Sequence, residues 1–158
     1  KDGKLKLTEI DHIGFVVKDL EKSIEHFEKK YGIGGWSTFL FGPGMENQTY
    51  YEEPCTFELN IAKTRLGPMV LELIQPVSGK SPHQDFLEAR GEGVQHFGFL
   101  VGDVEESIEI MKGYGYEMSS GAFDFGEKKD GAGVYFNTER DLGIQLEFIR
   151  LPSEEAGK

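Results

Sequence analysis

The sequence predicts an α+β fold made of two tandem βαβββ modules, and three observations carry that prediction. Residues 11–25, DHIGFVVKDLEKSIE, return at 95–109 as QHFGFLVGDVEESIE, identical at nine of fifteen positions where unrelated stretches would share about one. The segment Leu71-Glu72-Leu73-Ile74 is answered by Leu146-Glu147-Phe148-Ile149, and a proline follows each, Pro76 and Pro152. Between these echoes the hydrophobic spacing switches from period two to helical spacing and back. The assignment is a single domain over residues 7–152, with repeats 7–76 and 94–152 joined by a linker at 77–93. Each half is small for a core of its own, so the two are expected to share a sheet or pack together.

Taken in order, residues 1–6 are charged and read as a frayed end. Residues 7–17 carry Leu7, Ile10, Ile13, Phe15 and Val17 in a strand pattern that sends His12 and Gly14 to the face opposite Ile13 and Phe15. Asp19 is an N-cap, and Leu20, Ile24, Phe27 and Tyr31 follow at helical spacing until Gly32 stops the helix. Residues 33–41 read as a second strand, ended by Gly42-Pro43-Gly44. Residues 45–54 hold no clear period and read as a loop or ragged strand. Alternation resumes at 56–62, turns at 65–68 and closes the module at 69–74. In the linker, Ser81-Pro82 opens a short helix over 83–90 that ends near Gly91 and Gly93. The second copy repeats the order: a strand at 94–101, then a helix at 103–112 with Asp103 and Glu106 as a capping box. Strands near 116–122, 133–137 and 143–150 follow, and 152–158 reads as a solvated tail.

Composition narrows the function. The 158 residues carry a net charge of −11, which disfavours binding a nucleic-acid backbone. Cys55 is the single cysteine, so neither a disulfide framework nor a paired-thiolate zinc site is available. No apolar run approaches the ~18 residues of a membrane span, and the opening KDGKLKLTE lacks the hydrophobic segment expected of a signal peptide. The expectation is a cytoplasmic protein that meets a small molecule, not a membrane or nucleic acid.

Four residues occupy matching places in the two copies: His12 and His96 on the first strands, Glu72 and Glu147 on the last. Two imidazoles and two carboxylates suit a divalent transition metal and leave coordination positions for water or substrate. A lone strand histidine is ordinarily a hydrogen-bonded structural residue, and a lone strand glutamate ordinarily faces solvent. A duplicated pair of each, set among apolar residues, asks for a shared partner. A pseudo-twofold axis between the modules would bring both pairs to one centre.

The openings IDHIGFVV and VQHFGFLV, with the closings LELIQP and QLEFI, resemble the vicinal oxygen chelate superfamily, which includes glyoxalase I, methylmalonyl-CoA epimerase, extradiol dioxygenases and bleomycin-resistance proteins. The resemblance covers nearly the whole chain and is greatest to methylmalonyl-CoA epimerase. It implies a curved, cup-shaped mixed sheet with a divalent ion, Co, Mn, Ni or Zn, held by His12, Glu72, His96 and Glu147. It also implies proton abstraction α to a thioester carbonyl, with Glu147 doubling as ligand and base and Glu58 as the second base. The implied substrate is a small molecule of the acyl-CoA thioester kind, and a homodimer is a further implication. Glyoxalase I-type lactoylglutathione lyase chemistry is the nearest alternative, and a non-catalytic small-molecule binder of the bleomycin-resistance type is the other. An extradiol dioxygenase fits less well, because Glu72 would be a surplus carboxylate.

Residues 36–54, with Trp36, Phe39, Phe41, Tyr50 and Tyr51, are longer and more aromatic than the epimerase resemblance leads one to expect. They either line the cup, with Phe123 and Phe125, or fill the core. Lys63, Arg65, Lys128, Lys129 and Arg140 are candidate rim cations for a CoA phosphate. His26 reads as a surface residue and His83 as a helix-capping one.

Overall fold

The computed structural model describes residues 3–156, so Lys1, Asp2, Gly157 and Lys158 of the expected loose ends lie outside the described residues. The first module runs β1 (His12–Val16), α1 (Leu20–Tyr31), β2 (Ser37–Phe41), β3 (Asn47–Tyr50), β4 (Glu53–Cys55), β5 (Glu58–Leu66) and β6 (Met69–Ser78). After α2 (Pro82–Arg90) come β7 (Gly93–Leu100), α3 (Val104–Gly113), β8 (Met118–Phe125), β9 (Gly131–Phe136), α4 (Glu139–Leu142) and β10 (Gln145–Arg150). Asp19, Gly32, Ser81 and Asp103 cap their helices as the sequence predicts. Asp19 accepts from the Lys22 N–H, Gly32 ends α1 at φ 67°, Ser81 accepts from Gln84 and Asp103 from Glu106.

The ten strands among the described residues form one mixed sheet, ordered β2-β5-β6-β1-β7-β10-β9-β8-β3-β4. In each module the first strand runs parallel to the last, β1 with β6 and β7 with β10, and the two first strands meet antiparallel at the centre. That centre is the pseudo-twofold. On one face α1 packs through Leu20 and Ile24 onto Ala62 and Leu73, and α3 packs through Val104 and Met111 onto Phe136 and Phe148. The other face carries Phe57, Leu59, Ile61 and Ile74. The sheet curls around this inner face into a half-barrel, and Phe41 meets Phe57 at 6.3 Å and Phe125 of the other module at 5.7 Å.

The segment without a readable period is the β3–β4 hairpin. From His12 to Glu72 the first module is nine residues longer than the second is from His96 to Glu147, and β3 to β4 spans nine residues. The hairpin leaves its own module and pairs with β8, Asn47 opposite Phe123 through Tyr50 opposite Ser120. Its turn places Tyr51 and Glu52 at φ 47° and 65°. That is the geometry of a tight hairpin turn, built without the Asn-Gly signature that would have announced it. Gln48 fastens the hairpin to the first module, accepting from the Phe57 N–H at 3.0 Å and donating to its carbonyl at 3.1 Å.

Several boundaries differ from the sequence expectation. β1 begins only at His12, while Leu5, Leu7 and Ile10 pack against the second module's core, so this end is anchored. Residues 33–36 form no strand, and the Trp36 indole N–H donates to the Ile33 carbonyl. β6 continues past Pro76 to Ser78, and α4 has no forerunner in the hydrophobic pattern because none of its residues is buried. The tail is not simply solvated: Pro152 is fully buried, Ser153 donates to Asp130, and Glu154 accepts from the Glu127 N–H. Of the aromatic segment, Phe41, Tyr50 and Phe39 face the inner side, Phe39 part-exposed under the Lys63 ammonium, and Trp36 packs on Phe27 of α1.

Candidate metal centre

Cross-strand register brings the four predicted residues to one point on the inner face. Gly14 stands opposite Glu72 on one side and His96 on the other, and Gly98 stands opposite His12 and Glu147. Residues paired across strands share a face, so all four side chains project into the half-barrel. The glycines supply the room. A Cβ at Gly14 would lie 1.9 Å from Cε1 of His96, and one at Gly98 would lie 1.9 Å from Cε1 of His12. Each imidazole therefore lies across the glycine of the other module.

The four donor atoms lie within 4.8 Å of one another, and all four residues are buried, with exposures of 0 to 7%. His12 Nε2 is 3.2 Å from His96 Nε2 and 2.8 Å from Glu147 Oε1. His96 Nε2 is 3.6 Å from Glu72 and 3.5 Å from Glu147. The outward nitrogens are each matched to an oxygen: Nδ1 of His12 lies 2.9 Å from Asp11 Oδ2, and Nδ1 of His96 lies 2.6 Å from Gln95 Oε1. Nδ1 faces an acceptor oxygen in both rings, which turns both Nε2 atoms toward a centre that also holds two carboxylates. Metal-binding histidines are oriented by this kind of outer hydrogen bond. The donor set fits a divalent transition metal.

Without a cation, the side chains must balance their own charges. Burial opposes charge on His12, but Glu72, Asp11 and Glu147 outweigh it and raise its pKa to about 10. Burial likewise opposes charge on Glu72, yet His12, His96 and Lys63 hold its carboxyl well below the usual range. Lys63 stands directly across from Glu72, 3.4 Å away, and its pKa is raised, burial being outweighed chiefly by Glu72. Tyr135 stands directly across from Glu147, and its hydroxyl is pushed well above the ordinary phenol value by burial and then by the Glu147 and Glu72 charges.

Glu58, expected as a second base, is not brought to this centre. Alternation puts it on the face opposite Phe57, Leu59 and Ile61, and its carboxylate accepts from Ser78. Five residues of strand, roughly 16 Å at about 3.3 Å per residue, separate it from Lys63 on β5. Of the five expected rim cations Lys63 alone sits at the centre: Arg140 stacks on Tyr116, Lys128 and Lys129 lie in the β8–β9 turn, and Arg65 pairs across from Val70. His26 is exposed on α1, as expected. His83 is not a cap, because Ser81 fills that role. Its ring turns to the inner side and meets Tyr135 at 4.9 Å and His96 at 5.9 Å. Asp11, Gln95, Gly14, Gly98 and Tyr135 were not singled out from sequence, although the His-x-Gly written in both copies marked the two glycines.

Comparison with known proteins agrees with this architecture. The sequence model of the glyoxalase/bleomycin resistance protein/dioxygenase superfamily matches residues 11–136. The uncharacterized protein YqjC of Bacillus subtilis is 29% identical over 105 residues, a match that spans 66% of each chain, just under two thirds of that protein's length. Among solved structures, a single-residue variant of the Streptomyces coelicolor methylmalonyl-CoA epimerase, in complex with 2-nitronate-propionyl-CoA, superposes with a TM-score of 0.63. It is 22% identical, covering 92% of this chain and 95% of its own. The methylmalonyl-CoA epimerase of Mycobacterium tuberculosis gives 0.60 at 17% identity, over 96% and 93% of the two chains.

Proposed function

The chain belongs to the glyoxalase/bleomycin resistance protein/dioxygenase superfamily, and from that membership we propose a metal-dependent isomerase that removes a proton α to a carbonyl. Epimerisation of a methylmalonyl-CoA-type thioester is the leading reaction. The observation that carries this reading is the pair of imidazoles whose Nδ1 atoms are held by Asp11 and Gln95 while their Nε2 atoms face two buried carboxylates. A merely structural histidine pair would not need both carboxylates beside it. Among relatives of this fold, epimerase structures hold acyl-CoA ligands, including methylmalonyl-CoA.

In this reading His12, Glu72, His96 and Glu147 hold a divalent ion, Co, Mn, Ni or Zn. That ion supplies Lewis acidity to the substrate carbonyl oxygen and lowers the energy of the enolate left by proton removal. Glu147 takes the proton from one face of the substrate. Its carboxylate is buried, so water does not compete, and the contact with His12 Nε2 at 2.8 Å fixes its orientation. Lys63 faces the Glu72 side with a positive charge suited to a substrate carboxylate. The position of Glu58 favours a second reading. With that carboxylate on the far face, one base serving one face of the enolate is enough for a glyoxalase I-type proton shift, whereas epimerisation needs a second proton donor.

The test is turnover in D2O of Co²⁺-loaded protein with two substrates, methylmalonyl-CoA and the hemithioacetal of methylglyoxal and glutathione. Epimerase action incorporates solvent deuterium into methylmalonyl-CoA with inversion, and lyase action converts the hemithioacetal. Tight Co²⁺ binding with neither reaction would instead leave a metal-binding sequestration protein.

A further inference from the structure

His83 is fully buried, and neither ring nitrogen has a hydrogen-bond partner. A neutral imidazole carries one N–H donor and one lone pair, and buried polar atoms in folded proteins nearly always find partners. The ring does not cap α2, since Ser81 does, and apolar packing alone would be served better by phenylalanine or leucine. It stands edge-on to His96 and to Tyr135, at interplanar angles of 81° and 87°. It therefore sits inside the half-barrel beside two side chains of the centre. A third unpartnered atom, Nε2 of Gln95, belongs to the amide that orients His96. The helix that presents His83 is held in place, because Tyr50 of the β3–β4 hairpin donates to Asp85, two residues further along, at 2.5 Å.

We infer that His83 is a ligand-binding group of the centre, whose ring N–H donates to an oxygen of a small, oxygen-rich substrate such as a carboxylate, 1,3-dicarbonyl or malonyl-type thioester. The inference rests on the reading of His12, Glu72, His96 and Glu147 as a metal site. Lys63 marks the Glu72 flank of that site and His83 the Tyr135 flank. A ligand with oxygens at both ends is thereby held from two sides. The role is one of positioning, and it leaves the proton transfer to Glu147.

Oxalate is the probe, because it is planar and offers oxygens at both ends. Its binding to Co²⁺-loaded protein is read from the visible absorption of the ion, in parallel with Co²⁺ stoichiometry. His83→Phe, which keeps the ring packing and removes both polar atoms, is expected to bind Co²⁺ as the wild type does but oxalate at least about tenfold more weakly. His83→Asn, which restores a donor, is expected to recover part of the loss. Oxalate affinity unchanged in His83→Phe would overturn the inference and leave a buried water as the partner of the ring. Absence of Co²⁺ binding in the wild type would overturn the metal reading itself, a separate result. If His83→Phe does not fold, ¹⁵N-histidine spectra of Zn²⁺-loaded wild type decide. Oxalate is expected to move the His83 ring resonances and not those of exposed His26, and an unmoved His83 would contradict the proposal.

Discussion

Glu72 and Glu147 hold equivalent places in the two modules but face different neighbours across the strand. Glu72 looks onto the Lys63 ammonium, and Glu147 looks onto the Tyr135 hydroxyl. The repeat supplies a symmetric set of donors; the strands beside it, β5 and β9, break the symmetry. A carboxylate fixed beside an ammonium suits a permanent anionic ligand. One set across from a neutral phenol can change its proton without leaving that neighbour as a stranded cation. Duplication explains why a centre exists, and divergence of the neighbouring strand explains how two like carboxylates can take unlike roles.

The two halves are separated most sharply at the carboxylates themselves. Glu147→Gln is expected to lower turnover by roughly 10²- to 10⁴-fold, the usual worth of a general base. Glu72→Gln keeps a neutral oxygen donor and is expected to lower turnover far less. Equal losses in kcat would erase the distinction between the two halves. The glycines test the symmetric part instead. Because an added Cβ at Gly14 or Gly98 would overlap the opposite imidazole, alanine at either is expected to weaken Zn²⁺ binding by at least about tenfold, the lower range for disturbing ligand orientation. A large effect at one glycine and none at the other would contradict the shared geometry.

How far the sequence reached follows the same division. The donors were legible because the repeat wrote them twice, and Asp19, Ser81 and Asp103 were legible because a cap is a local event with a local signature. The β3–β4 hairpin was not. Its strands are short, its turn uses Tyr51 and Glu52, and its partner β8 lies some seventy residues further along. Glu58 failed for a related reason. Family order suggests its place, whereas alternation from Phe57 and Leu59 sets its face. His83 was misread because its position in the first turn of α2 says nothing about which side of the sheet the helix end reaches.

A finer effect concerns protons. In the metal-free protein His12 titrates at about 10, raised from 6.5. The stability this gives is complete below pH 6.5 and is lost as pH rises through about 10. Below about pH 10 an entering cation must expel the proton. Zn²⁺ uptake near pH 7 is therefore expected to release about one proton from His12, with apparent affinity rising about tenfold per pH unit. Calorimetry in buffers of different ionisation heat measures it, and zero release would mean that His12 is already neutral. The Asp11 contact sharpens the point: Asp11→Asn weakens the hydrogen bond that orients His12 and is expected to reduce both the proton release and, by roughly 10- to 100-fold, the metal affinity.

The convergence of two imidazoles and two carboxylates on one cation is tested most directly by anomalous diffraction from crystals of Zn²⁺-loaded protein. A single peak is expected within about 2.2 Å of His12 Nε2, His96 Nε2 and an oxygen each of Glu72 and Glu147. Zinc bound elsewhere on the chain, with these four side chains left in contact only with one another, would contradict it.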